Sequence, residues 1–277
     1  MENRFHFRTL AIAATTALVG VTLTACSEKS QEASDIVATT GVWADVASAV
    51  TGEDVETIIT GDAVDPHHFE PSAKDLARIK QAETVVANGG GYDAALYTAA
   101  EQDRIIHAIP LLDKDDHDHH DHAIEHAWFA PEKVRQVADE VAERVGGDAG
   151  VVDKRISAIE DKLNAADLNV AMTEPIAAGL VGAKLRDVTP EEYAHASVNH
   201  QEPSASAVAK FLEQIETGQL DLLFVNPQST NSATERLADA AKAHNVPVVE
   251  IRETPPAGVD FLDYFEQVVD QIAEISK

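Results

Sequence analysis

The sequence predicts an α/β protein of two lobes, each built on a parallel sheet flanked by helices. Three observations lead there. Short β-branched runs alternate with amphipathic helical stretches from residue 35 onward. The alternation then breaks at a run of Asp and His followed by two helical stretches, and afterwards it resumes to the C-terminus. Such alternation is the signature of βαβ units, and 277 residues suffice for one large domain or two modest ones with a buried core.

In the first half, strands are expected at residues 36–39, 55–59, 84–87 and 104–106, with helical patterns at 43–50, 73–81 and 92–101. Helical stretches at 131–145 and 151–166 follow, separated by Gly146-Gly147. The second of these has Val152, Ile156, Ile159 and Leu163 at helical spacing with charged residues between them. In the second half, strands are expected at 169–172, 185–188, 221–225 and 246–251, and helices at 176–185, 205–217, 233–244 and 261–276. The expected organisation is a first lobe over 35–148, a connecting helix over 149–167 and a second lobe over 168–277. No internal repeat is strong enough to indicate duplication.

Residues 1–25 have the layout of an export signal. Arg4 and Arg8 form a basic start, and the apolar stretch over 9–23 is too short for a typical membrane-spanning helix. It ends in Leu23-Thr24-Ala25-Cys26, which resembles the bacterial lipobox, whose cysteine accepts a lipid and becomes the first residue of the mature protein. Cys26 is the only cysteine, so no intrachain disulfide is available. Residues 26–34 read as a flexible tether. The expected location is the extracytoplasmic face of a cell membrane, held by the lipid and not embedded.

Lys and Arg number 21 against 48 Asp and Glu, a formal net charge of −27. A surface so acidic keeps a protein soluble, repels nucleic acid and anionic headgroups, and concentrates cations. Nucleic-acid binding is excluded as a main function.

Two segments carry metal chemistry. Asp65-Pro66-His67-His68-Phe69-Glu70-Pro71-Ser72 lies after a strand and before a helix, where open α/β folds place ligands. Two prolines stiffen it, and Ser72 is placed to cap the helix that follows. Alone, it reads equally as a metal loop or as a histidine-containing turn. The second segment, 113–126, holds His117, His119, His120, His122 and His126. Imidazoles spaced so closely bind zinc, copper or nickel loosely in many loop conformations. His126 differs from the others because it precedes Ala127-Trp128-Phe129-Ala130-Pro131, an apolar stretch expected to be packed.

The Asp-Pro-His and Glu-Pro-Ser elements of 65–72, the His-rich loop ending in His-x-Trp and the two α/β halves together resemble the metal-binding lipoproteins of bacterial ABC importers for zinc or manganese. The resemblance covers residues 36–276. It implies that one long helix, 151–166, bridges the lobes, and that an ion lies between them. It implies His67 and His126 as ligands from the first lobe, and Glu174 (in Thr173-Glu174-Pro175) and Glu253 (in Arg252-Glu253-Thr254) from the second. The carboxylate at 174, just past an apolar strand, is also sensible on physical grounds.

Two imidazoles and two carboxylates suit zinc, with manganese the alternative; the His-rich loop, as an accessory collector, favours zinc. The implied work is capture of Zn2+ outside the cell and delivery to an ABC permease and its ATPase, by a monomer without enzymatic activity. A zinc hydrolase would need an open coordination position and a general base, and neither HExxH nor GxSxG is present. A metal-binding adhesin of the same fold is the other alternative.

Overall fold

The computed structural model describes residues 35–60, 69–112, 125–182 and 184–277. Its first strand, β1 (Ile36–Thr40), is buried along its whole length. A strand covered on both faces is what a parallel sheet between helices requires. β1 pairs in parallel with β2 (Glu56–Ile59) on one side and β3 (Thr84–Ala87) on the other, and β3 pairs with β4 (Ile105–His107). The order is β2-β1-β3-β4. The second half repeats it: β5 (Leu168–Met172), β6 (Leu185–Asp187), β7 (Leu222–Val225) and β8 (Val248–Glu250) form a parallel sheet of order β6-β5-β7-β8. Each sheet reverses its winding direction once, between its first and third strands, and a crevice opens there at the carboxyl ends.

The helices are α1 (Gly41–Thr51), α2 (Ala73–Gln81), α3 (Ala94–Tyr97), α4 (Pro131–Val145), α5 (Gly150–Ala165), α6 (Glu191–Val198), α7 (Ala205–Glu216), α8 (Ser232–Ala243) and α9 (Phe261–Ile275). Side chains alternate across each strand, so successive residues feed different cores. Leu222 and Phe224 of β7 face a central core with Trp43 of α1, Val137 of α4, Ile156 of α5 and Phe265 of α9. Leu223 and Val225 turn the other way, onto Phe211 of α7 and Leu237 of α8. In the first sheet Ile36 and Ala38 enter that same central core, and Val37 packs with Ile79 of α2 and Leu96 of α3. The layers run helix, sheet, helices, sheet, helix, and the two lobes share the middle layer.

α5 carries the chain from one lobe into the other. It packs on α1 and α4 of the first and on α9 of the second. Arg155 donates to Asp263 (2.6 Å) and Glu266 (2.7 Å) of α9, while Arg135 of α4 reaches Asp153 and Glu160 of α5 at 2.7 Å each. In a chain so rich in acid, these arginines staple the helices of the middle layer together. The turn before α5 needs glycine. At Gly147 (φ 115°) a Cβ would stand 2.2 Å from the carbonyl oxygen of Val50, which accepts the Asp148 N–H at 2.8 Å.

Three expected elements differ. The helix expected at 92–101 is only the single turn α3, because the Asp93 carboxylate accepts the N–H groups of Asn88 (2.7 Å) and Gly89 (3.0 Å) and folds the chain back on the strand end. The helix expected at 176–185 is a 3-10 segment, Pro175–Leu180, and Leu185 already belongs to β6. α6 forms where no helix was expected; of its residues Tyr193 alone is buried, so it shows no apolar periodicity.

Candidate metal centre

The carboxyl ends of both sheets converge on one place. β5 runs into Thr173 and Glu174, β7 into Asn226, β8 into Glu253 three residues on, and β3 into Asn88 and Tyr92. The second sheet's switch point lies between β5 and β7, so Glu174 and Asn226 flank the crevice where such folds place ligands.

His126 Nε2 lies 3.6 Å from Glu174 Oε1 and 3.7 Å from Glu253 Oε1, and the three donor atoms all lie within 4.8 Å of one another. Donors at about 2.1 Å from a tetrahedral ion stand about 3.4 Å apart, so His126 needs to close on each carboxylate by only a few tenths of an ångström. His126 and Glu253 are buried, at 4% and 5% exposure. Two carboxylates facing a buried imidazole, Glu253 buried and Glu174 partly covered, are costly without a counter-charge, and a divalent cation would supply it.

Each of the three side chains is held through the backbone of its neighbours. Asn88, fully buried, donates from Nδ2 to the carbonyl of Glu125 at 2.8 Å, and its Oδ1 accepts the Trp43 indole N–H at 3.2 Å. The residue before His126 is thereby fixed to the end of β3. Before Glu174, the carbonyl of Thr173 accepts the hydroxyls of Tyr193 and Ser197, both at 3.3 Å, which is the work of α6. Around Glu253, the Arg252 N–H donates to the Tyr264 hydroxyl (2.8 Å) and the Thr254 N–H to Gln228 Oε1 (3.3 Å). The imidazole of His126 stands edge-on to Trp128 at 5.3 Å and to Tyr92 at 6.2 Å between ring centroids.

Two further side chains touch the carboxylates themselves. Asn226 Nδ2 donates to Glu174 Oε1 at 2.8 Å and to Glu253 Oε1 at 2.9 Å. The Tyr92 hydroxyl, from the first lobe, donates to Glu253 Oε2 at 3.2 Å. Burial, and after it the Glu253 charge, hold the Tyr92 phenol well above its usual range, so it stays a donor. Burial and the Glu174 charge likewise push Tyr193 up to about 12.

The two lobes meet tightly beside the site. The 3-10 turn Ala127–Phe129, directly after His126, packs on the 3-10 segment Pro175–Leu180, directly after Glu174. Gly179 makes that approach possible: a Cβ there would lie 2.7 Å from Ala130 N and from the Phe129 carbonyl carbon. A cavity of about 530 Å³ leads to the cluster, lined by His126, Glu174, Glu253 and the α6–α7 connection. At its lip His200, a non-glycine residue at φ 51°, places Nε2 3.5 Å from Glu125 Oε2.

Of the expected ligands, the structure brings His126, Glu174 and Glu253 together. His67 lies outside the described residues, as do Cys26 and the loop histidines His117, His119, His120 and His122. Ser72 caps α2 as expected, in a reciprocal pair with Asp75. Sequence reasoning did not reach Asn226, Tyr92 or Asn88. Among the described residues no helix is long and apolar enough to cross a membrane.

Fold and cluster define a class: a two-lobed α/β protein with a buried His-carboxylate centre at the seam. The chain belongs to the family described as zinc-uptake complex component A, periplasmic (ZnuA), which it matches over residues 36–275. It is similar to the zinc-binding lipoprotein AdcA of Streptococcus pneumoniae serotype 4, 23% identical over 268 residues, covering 81% of this chain and 52% of that protein. The chain thus spans about half the length of the curated relatives it matches. In fold it is similar to a crystal structure of ZnuA (18% identity, TM-score 0.62, covering 88% of this chain and 99% of the other). It is similar also to the periplasmic zinc-binding protein TroA of Treponema pallidum (17%, TM-score 0.61, 87% and 99%), and to FpvC of Pseudomonas aeruginosa in complex with Mn2+ (19%, TM-score 0.60, 87% and 97%).

Proposed function

We propose that this chain is the metal-binding subunit of an ABC importer, which captures Zn2+ outside the cytoplasm and hands it to a membrane permease worked by an ATPase. The single observation that carries the reading is the convergence of His126, Glu174 and Glu253 from three separate elements and both lobes. Family membership and the relative described as a zinc-binding lipoprotein support it. The ion is cargo, and no reaction is performed on it.

In this reading His67 supplies the fourth ligand, completing two imidazoles and two carboxylates. His117, His119, His120 and His122 form a loose collector, and a lipid on Cys26 holds a monomer at the membrane. Zinc is favoured over manganese because imidazole gains more from the softer ion. Calorimetric titration of the metal-stripped protein with zinc, then with manganese in competition, tests this. His126→Ala and Glu174→Ala should each abolish high-affinity binding. A variant that keeps wild-type affinity would sink the site assignment, and tighter binding of manganese would sink the choice of ion.

A further inference from the structure

Asn226 stands one residue past the end of β7 and is fully buried. Its Oδ1 accepts the backbone N–H of Gln228 at 2.9 Å, and this fixes which way the amide points. The NH2 end must then face the carboxylates, where Nδ2 donates to Glu174 Oε1 and Glu253 Oε1 at 2.8 and 2.9 Å. A flipped amide would set its oxygen against theirs with no hydrogen between. The two oxygens it holds are the same two that stand nearest His126 Nε2.

We propose that Asn226 is a positioning residue that sets ion selectivity: its amide pins Glu174 and Glu253 by one oxygen each, and this pinned pair favours zinc over manganese. The inference rests on the metal-binding reading and deepens it. Two adjacent carboxylates repel one another before an ion arrives. A neutral amide offsets that with two charge-assisted hydrogen bonds and, unlike a lysine at the same place, leaves the negative charge for the cation. Zinc is satisfied by four ligands in a tetrahedron. Manganese prefers an octahedral, oxygen-rich shell, which a four-ligand site reaches when carboxylates swing round to chelate through both oxygens. Asn226 resists that swing at both glutamates, and Tyr92 holds the second oxygen of Glu253 as well.

The test uses the metal-stripped full chain with Asn226→Asp and Asn226→Ala. Asn226→Asp keeps the shape and the acceptor for the Gln228 N–H but removes both donors and adds a third carboxylate beside the pair; Asn226→Ala removes both donors without adding charge. Zinc and manganese affinities are measured by competition calorimetry, with His126→Ala alongside. Zinc affinity should fall about 10- to 100-fold in both variants, the usual effect of removing a partner that orients a ligand, with manganese falling less than about threefold. The zinc-to-manganese ratio then drops. A residue that served the fold alone would leave Asn226→Ala at wild-type zinc affinity, or would weaken both ions equally, and either result overturns the proposal. Wild-type zinc affinity in His126→Ala would remove the metal-binding reading itself, and the inference with it.

Discussion

Gly179→Ala is the sharpest single probe of how the lobes and the site depend on each other. Gly179 has ordinary backbone angles, so the substitution adds no torsional strain and its effect is purely steric. The added methyl would lie 2.7 Å from Ala130 N and from the Phe129 carbonyl carbon, and 2.8 Å from Ala130 Cα. All three are backbone atoms, which cannot rotate away as the tip of a side chain would. Ordinary contact begins near 3.4 Å, so the two 3-10 segments must part by more than half an ångström. Overpacking of this kind costs about 1–3 kcal/mol, which for a chain of this size lowers the melting temperature by about 2–12 °C. The displacement falls on the turn that begins at His126, so zinc affinity should drop by about tenfold or more, following the sensitivity of metal sites to ligand orientation. Gly182→Ala, whose methyl would meet nothing within 4 Å, is the control. Thermal melts with and without zinc, and a calorimetric titration, read both effects. A Gly179→Ala protein that melts and binds like wild type would refute the claim that this seam sets the ligand geometry.

Further perturbations separate the supporting contacts. Asn88→Ala strips the Glu125 carbonyl and the buried Trp43 indole of a partner; a loss of about 1–3 kcal/mol in denaturant unfolding is expected, together with weaker zinc binding, and an unchanged affinity would show that the Glu125 backbone needs no anchor. Tyr92→Phe removes the donor that reaches Glu253 from the other lobe; it should weaken zinc binding by about tenfold, the usual effect of removing a partner that orients a ligand, and lower the metal-free stability by about 1.5–3 kcal/mol, the worth of a hydrogen bond to a charged group, and an unchanged zinc affinity in calorimetry would show that this contact serves the fold alone. Asp45 tests pH dependence: burial lifts its pKa from 3.8 to about 6 against the opposing Phe261 N–H, and nearby Asp260, Asp54 and Asp263 add to the rise. Its folded-state pKa is raised, so its contribution to stability is fully present below 3.8 and is lost as pH climbs through 6. Asp45→Asn should therefore flatten the metal-free stability profile between pH 4 and 6 and gain stability at pH 7; an unchanged slope in urea unfolding would assign the pH dependence elsewhere.

What the sequence made legible follows from where each signal lives. Strand and helix alternation is local, and each apolar strand had to be covered on both faces, so two parallel sheets could be read from the runs at 36–39, 84–87, 169–172 and 221–225. His126 was legible because an imidazole beside an apolar Trp-Phe stretch must be packed, and Ser72 because a helix start needs a cap. Glu174 is marked by its place after a buried strand, though its pairing with Glu253 came from resemblance. The helix expected at 92–101 failed because the Asp93 side chain competes for backbone N–H groups, a tertiary event without periodicity.

Asn226, Tyr92 and Asn88 share a different reason for staying hidden. Each is a neutral hydrogen-bonding residue whose partner stands 52, 161 or 37 places away in the chain. A metal ligand comes chiefly from His, Cys, Asp and Glu; a residue that orients a ligand need only offer a donor at the right angle, and most polar residue types qualify. Composition therefore finds the first kind and misses the second. Here every one of the three clustered side chains has a neighbouring backbone group tied down by a side chain from another element. Zinc affinity should therefore answer to substitutions at Asn88, Tyr193 and Tyr264, none of which belongs to the cluster.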